Sequence, residues 1–475
     1  MAENNEKNSL DPSTADDSAP SASINQVISL LYGNEDPKKA YPIPVSKISE
    51  LTIRESFFTK LPTLYLVLND PGTLFNYVNF QIGNTLYVKI TPVIRNKDLL
   101  PEPYVDCKFV IQSVSFYLDD DTQDYVCEIN AIYPAEKYLN DICVWPVQLI
   151  DNPLTDKMYT SVEVLKNICT KGGLQFNNDY ADDTNDNMSW INSHLTYSEF
   201  AEKVVKHAWI NDDDMPILYV DKNGLAHFNT INTLCGEVVK AEYIQANLYD
   251  KVYRKDPSGT NQNDKPSGFR TYNDISFRNI GYIQNQGAYG IRTKIYNPYN
   301  TRELNVKEFV PDIPLKPKNT TLNDACIRNK DFHDNKKRIA NLSNKSPGQV
   351  ENYRYAFAKM HFKQTHEHYD YAPQHNESIK RAFFQQFIVI TVDVPNQPDY
   401  EWEPVQKLAL GDRITVKTES LNNVTSIQTG DYIVTDIIHN FFFNANYTMV
   451  IIAVNDGING ISRTKKESEM NKKQE

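Results

Sequence analysis

The sequence predicts a mainly β protein with α/β insertions, made of two antiparallel β-barrels and a small α/β domain. Three observations lead there. Aromatic weight is high and glycine low, with 29 Tyr and 21 Phe against 17 Gly, a balance that suits strands. The 475 residues exceed the roughly 100–200 of one ordinary domain, so several cores are expected. Short segments with period-2 alternation occur in two separate regions, and a stretch with helix-start signals lies between them.

Residues 1–23 are rich in Asp, Glu, Ser, Pro and Ala and have little to bury, so they read as a disordered tail, as do residues 461–475. Residues 24–150 are assigned to the first barrel. Its strands are expected over Leu51–Phe57, Leu64–Leu68, Thr85–Thr91, Val105–Tyr117 and Tyr125–Tyr133. In the third, Leu86, Val88 and Ile90 share one face, the mark of a half-buried strand. The last two flank the polar run Asp119–Asp124 and should form a hairpin.

Residues 151–240 read as the small α/β domain. Thr160-Ser-Val-Glu163 and Thr196-Tyr-Ser-Glu199 both fit the capping box, so a helix should start at each. Phe200, Val204, Val205, Ala208 and Trp209 then form an apolar stripe. Asp221-Lys-Asn-Gly224 separates two apolar runs as a tight hairpin turn would.

Residues 241–300 and 381–460 are assigned to the second barrel. In the first part Gly259, Gly268, Gly281, Gly287 and Gly290 act as breakers; in the second, strands are expected over Phe387–Val392, Arg413–Val416, Tyr432–Ile438 and Tyr447–Val454. Residues 301–380 hold 14 Lys+Arg and 10 Asp+Glu, a local inversion to +4, with Pro311, Pro314 and Pro317 and an expected helix around Asn352–Gln364. This stretch reads as an insertion within the second barrel.

Composition excludes several function classes. With 49 Lys+Arg against 61 Asp+Glu the net charge is −12, which opposes sequence-wide nucleic-acid binding. No run reaches the roughly 18–20 apolar residues of a membrane helix, so no membrane anchor is expected. The six Cys (107, 127, 143, 169, 235, 326) are scattered singly and read as packed, reduced thiols.

No catalytic, cofactor-binding or metal-binding residue is assigned, and the chain does not read as an enzyme. It has neither a GxSxG elbow nor a GxxxxGK[ST] phosphate loop. His361, His366, His368 and His375 cluster, but without the spacing that sets two imidazoles on one helix face; a solvated loop or a subunit contact is expected there. Asp119–Asp121 and Asp212–Asp214 lack the order of a calcium loop and read as turns.

An internal repeat dominates. Phe80-Gln-Ile-Gly-Asn-Thr-Leu-Tyr-Val-Lys89 matches Leu408-Ala-Leu-Gly-Asp-Arg-Ile-Thr-Val-Lys417 at an offset of 328. Phe109–Val114 matches Tyr432–Ile437 at 323, and Tyr125–Ile132 matches Tyr447–Val454 at 322. Gly83-Asn84 and Gly411-Asp412 suit a turn that needs positive φ before a strand. Three strands in one order at nearly one offset indicate a duplicated barrel.

Gly411-Asp-Arg-Ile-Thr-Val416, Thr429-Gly-Asp-Tyr-Ile-Val434, Ile438-His-Asn440, Tyr447–Val454 and Asp456-Gly457 together resemble the last barrel of the phage baseplate hub family. The resemblance covers both barrels and the split layout, and it implies that the barrels are tail-tube-like. It further implies a structural virion protein of the tail baseplate, assembled in the host bacterial cytoplasm. Such a protein is a homotrimer whose six barrels stack on a six-fold tail tube protein while a three-fold central spike protein docks on the other face. Tape-measure and baseplate wedge proteins are further implied partners, and DNA passes through an axial lumen without specific binding; the net charge of −12 adds the expectation that the lumen is acidic or neutral. His439 falls on the motif's histidine and is expected to hydrogen-bond within the barrel. Two alternatives stand beside this reading: an adaptor of a related contractile injection or type VI secretion particle, and a hub with wall-degrading hydrolase activity in residues 301–380.

Overall fold

The computed structural model describes residues 26–33, 40–70, 78–92, 105–118, 125–135, 138–143, 158–192, 194–211, 214–245, 269–272, 274–279, 291–295, 307–309, 352–356, 366, 368–369, 372–384, 386–393, 408–417, 430–442 and 448–455. Both tails, the five breaker glycines, the three prolines of the insertion, Asp119–Asp121, Cys326 and His361 lie outside these residues.

The first strand-rich region contains β1 (Gln26–Gly33), β2 (Tyr41–Ile43), β3 (Ile48–Ser56), β4 (Thr63–Asp70), β5 (Thr85–Pro92), β6 (Val105–Leu118) and β7 (Tyr125–Ile132). They pair in the order β2-β1-β5-β6-β7-β4-β3, antiparallel throughout. The alternation read from the sequence holds for most of β5: Leu86, Val88 and Ile90 are buried, Lys89 is exposed and Tyr87 half-buried, while Thr85, expected on the outer face, is buried at the start of the strand.

The α/β unit follows: α1 (Ser161–Lys171), β8 (Gln175–Asn178), α2 (Tyr197–His207), β9 (Pro216–Val220), β10 (Leu225–Thr230) and α3 (Ile231–Gly236). Both capping boxes form. Thr160 Oγ1 accepts from Glu163 N at 3.3 Å while Glu163 Oε2 accepts from Thr160 N at 3.1 Å, and Thr196 and Glu199 repeat this at 3.3 and 2.9 Å. Phe200, Val204, Ala208 and Trp209 are buried, although the last two lie beyond the end of α2. The turn at Asp221 closes on a Gly224 N to Asp221 O bond of 2.9 Å, and β10 lies between β9, antiparallel, and β8, parallel.

The second region contains β11 (Val239–Gln245), β12 (Phe269–Tyr272), β13 (Asp274–Asn279), β17 (Gln386–Asp393), β18 (Arg413–Lys417), β19 (Gly430–Phe442) and β20 (Thr448–Asn455). Their order is β12-β11-β18-β19-β20-β17-β13. Placed against the first region, β5-β6-β7-β4-β3 corresponds to β18-β19-β20-β17-β13, antiparallel in both. The outer strands differ in direction, since β11 pairs in parallel with β18 and β12, whereas β1 is antiparallel to β5 and β2.

Backbone detail repeats as well. Gly83 N donates to Ile111 O and Ile111 N to Asn84 O, both at 2.9 Å; Gly411 N donates to Val434 O and Val434 N to Asp412 O, both at 2.9 Å. The two glycines have φ of 90° and 86°. β6 bulges between Ile111 and Ser113, and β19 between Val434 and Asp436.

Among the described residues the two strand-rich regions are joined, since β3 pairs with β19 and both regions belong to one 14-stranded sheet. Their apolar side chains form one core that also takes in Met215, Ile217, Tyr219, Ile231 and Leu234 of the α/β unit. The helix expected around Asn352–Gln364 is instead a strand over its first residues. This β16 (Asn352–Ala356) pairs in parallel with β14 (Ile291–Ile295), which also pairs with β15 (Lys307–Phe309). Tyr353 and Tyr355 suit extended backbone, and partnership with a distant strand overrides the local helical spacing.

The strand correspondence also places the insertion. Ile53 opposite Leu64 in the β3-β4 pair matches Phe277 opposite Ile388 in the β13-β17 pair. The first members are 224 residues apart and the second 324, so about 100 extra residues occupy the connection that in the first repeat is a short turn. β14, β15, β16 and the helix α4 (Ala372–Phe383) lie in that connection.

Candidate assembly interface

The seam between the repeats runs from Asp436 opposite Ser56 to Phe442 opposite Glu50. Its charged centre is Glu55, which is 1% exposed. Glu55 Oε2 accepts from Lys222 N at 2.8 Å, and Glu55 Oε1 lies 3.6 Å from Lys222 Nζ and 3.4 Å from His439 Nε2. Burial alone would raise the Glu55 pKa, but the Lys222 ammonium and the His439 hydrogen bond outweigh it and hold it at about 2. Burial lowers the His439 pKa against the pull of Glu55, which leaves the ring neutral. Arg54 Nη2 donates to Asp436 Oδ1 at 2.9 Å, and Thr52 Oγ1 to Asn440 Oδ1 at 3.0 Å. One carboxylate thus ties together the first repeat, the second, and the β9-β10 turn of the α/β unit. His439 is a hydrogen-bonding residue of the sheet, and Glu55 is the partner that no sequence motif pointed to.

The matching part of the first repeat looks different. β6 runs past the end of β5, as β19 runs past β18, and among the described residues β6 pairs with β5 and β7. On β19 this overhang is covered by β3, and His439 and Phe441 are 3% and 4% exposed. On β6 the matching Phe116 and Leu118 are 54% and 43% exposed, with Tyr117 between them at 45%. Large apolar side chains on a sheet edge are unusual unless something covers them.

Of the four histidines, the described His366, His368 and His375 are packed against the α/β unit, which corrects the solvated-loop expectation for these three and leaves the subunit contact as an expectation. His375 lies within α4 and is fully buried. Trp209 stacks on His368 at 4.3 Å and meets His375 at 4.5 Å, His207 stacks on Tyr369 at 4.1 Å, and His366 Nε2 lies 3.1 Å from His207 O. These contacts clasp the end of the insertion to the α/β unit. Aromatic stacking buries imidazoles that polar sequence neighbours make look exposed. Burial also lowers the His207 pKa to about 4.

Asp214, read as part of a solvated turn, is buried, and its Oδ1 accepts from Met215 N and Asn232 N. Asp186 is buried too and accepts from Ser161 N, Thr184 Oγ1 and Trp209 N. Both carboxylates join segments of backbone. Cys107, Cys127, Cys143, Cys169 and Cys235 are free thiols, and burial pushes Cys127 and Cys169 up to about 12. A groove of about 590 Å³ lies between the β3-β4 turn, α2, β9 and α4, with Phe57, Phe58, Lys60, Tyr219 and Phe384 in its walls. Among the described residues, no group of three His, Cys, Asp or Glu side chains is placed to hold a metal ion, and no helix is long and apolar enough to cross a membrane.

Two solved structures superpose on nearly the whole chain. The 43 kDa tail protein of prophage MuSo2 from Shewanella oneidensis is 11% identical and aligns over 90% of this chain and 96% of its own, with a TM-score of 0.50. This chain has the fold of phage tail proteins. A tail protein from Neisseria meningitidis MC58 is 9% identical and aligns over 92% and 98%, also at 0.50. No protein-family model and no curated protein matches the sequence.

Proposed function

We propose that this chain is a structural component of a phage-type tail, a baseplate hub that joins a six-fold tail tube to a three-fold central spike around an axial channel. The duplicated sheet carries the proposal. Five antiparallel strands recur with the same order, bulge and glycine turn, so one chain offers two near-equivalent surfaces to a ring partner. Three copies then present six such surfaces to a tube and three identical sites to a spike, which resolves the symmetry mismatch by duplication. The shared fold with two phage tail proteins supports the tail setting.

The buried carboxylates and histidines support a non-catalytic role, since each holds backbone or a neighbouring side chain rather than lining an open cleft. The net charge of −12 suits a conduit that DNA traverses without adhering. Mass measurement and electron microscopy of the purified protein test the reading. A three-subunit ring with a central channel is expected; a chain that stays monomeric and binds neither tube nor spike protein would refute it.

A further inference from the structure

We propose that β13 of one copy adds to the overhang of β6 in the next copy, antiparallel and in a defined register, with Phe277 opposite Phe116. This deepens the hub reading by naming the contact that closes its ring, and it rests on that reading only for the number of copies.

The contact is already present once inside the chain. β3, the last strand of the first repeat, fills the overhang of β19 in the second. β13 is the last strand of the second repeat, and among the described residues it pairs with β17 at the far end of the sheet. Applying the step from first repeat to second once more sets β13 beside a β6 that belongs to another copy. A head-to-tail contact of this kind generates a ring when its rotation closes.

The strands that would exchange places match in residue type. Glu50-Leu-Thr-Ile-Arg54 of β3 corresponds to Asp274-Ile-Ser-Phe-Arg278 of β13: acid, aliphatic, hydroxyl, apolar, arginine. The observed opposition of His439 and Ile53 transfers at 323 and 224 residues to Phe116 and Phe277. By the same shift Asn440 opposite Thr52 becomes Tyr117 opposite Ser276, and Phe441 opposite Leu51 becomes Leu118 opposite Ile275.

The exposure contrast points the same way. His439 and Phe441 sit under β3 at 3% and 4%, whereas Phe116 and Leu118 are 54% and 43% exposed. Where the internal seam uses the Glu55, Lys222 and His439 cluster, the β6 overhang offers Phe-Tyr-Leu. Strand addition supplies main-chain hydrogen bonds along the edge, and apolar cross-strand pairs supply specificity.

Paired cysteines in the full-length chain test the register. Directly opposite residues of an antiparallel pair have Cα atoms about 4.5–5.5 Å apart, within the span of a disulfide, while residues two places off lie about 7–8 Å apart. Phe116→Cys with Phe277→Cys should give, on mild oxidation, covalent multimers that resolve to monomer under reductant. Val114→Cys with Phe277→Cys should give about tenfold less, or none, and the unsubstituted chain controls for its own thiols. In parallel, Phe116→Lys with Leu118→Lys should weaken self-association about tenfold or more without lowering the unfolding midpoint, because both positions are exposed in the single chain. Assembly into rings with no preference for the 116–277 pair would overturn this inference and leave the hub reading standing. A chain that remains monomeric at its highest soluble concentration would overturn both.

Discussion

Glu55 on β3 and His439 on β19 lie 3.4 Å apart, both buried, where the first repeat meets the second. They are nearly 400 positions apart in sequence, yet with Lys222 they make one electrostatic unit across three parts of the chain.

Breaking that unit should be costly. Glu55→Ala leaves Lys222 and His439 without their acceptor, and loss of one partner of a buried charge pair typically costs about 3–5 kcal/mol. Glu55 is held at about 2, below its ordinary value, so the stability it contributes is present above roughly pH 4.3 and is lost as pH falls toward 2. His439 is also lowered, so its protonation adds to acid destabilisation below roughly pH 6.5. Denaturant titrations at several pH values should show a steep acid limb in the native chain and a shallower one in Glu55→Gln.

His227 should act with the opposite sign. Burial alone would lower its pKa, but Asp179 at 2.7 Å and Asp221 at 3.6 Å outweigh that and raise it to about 9. Its contribution is complete below roughly pH 6.5 and disappears as pH rises through 9. His227→Gln should lower stability at pH 6 and flatten the decline between pH 7 and 9, as read from unfolding midpoints.

The two matched turn glycines should respond unequally. Both have φ near +90°, where a side chain costs about 1–2 kcal/mol. At Gly83 an added Cβ meets nothing within 4 Å, whereas at Gly411 it meets Tyr219 Oη at 2.8 Å and Leu234 Cδ2 at 2.9 Å. Gly83→Ala should therefore cost the backbone amount alone, and Gly411→Ala clearly more, when thermal unfolding of the two variants is compared.

Trp209 should anchor the insertion. It is buried, stacks on His368 and meets the tilted ring of His375. Trp209→Ala should cost about 3–5 kcal/mol and raise amide exchange in Ala372–Phe383 more than in β5 or β6. Equal exchange across these elements would remove the clasp.

Local features were legible in the sequence for local reasons. The two capping boxes, the Asn-Gly hairpin and the glycine turns each involve bonds that span a few residues, so residue type and spacing decide them. The repeat was legible in three strands; of the other two matches, β4 with β17 keeps nearly the same offset but carries no distinctive residue pattern, and β3 with β13 was hidden because it lies about 100 residues out of step with the others. Polar neighbours hid the burial of His375, and nothing in the sequence around Glu55 signalled a buried carboxylate.

The sequence by itself determined the β character, the helix starts, the duplication and the absence of recognisable catalytic motifs, because alternation, caps and repeated order are written in nearby residues. Only the tertiary structure decided that the two repeats share one sheet through β3 and β19, and that one overhang is covered while its counterpart on β6 exposes Phe116, Tyr117 and Leu118. The physical reason is that a strand edge can bond to any extended backbone. Its partner is chosen by long-range packing and loop closure, which no short window of residues encodes.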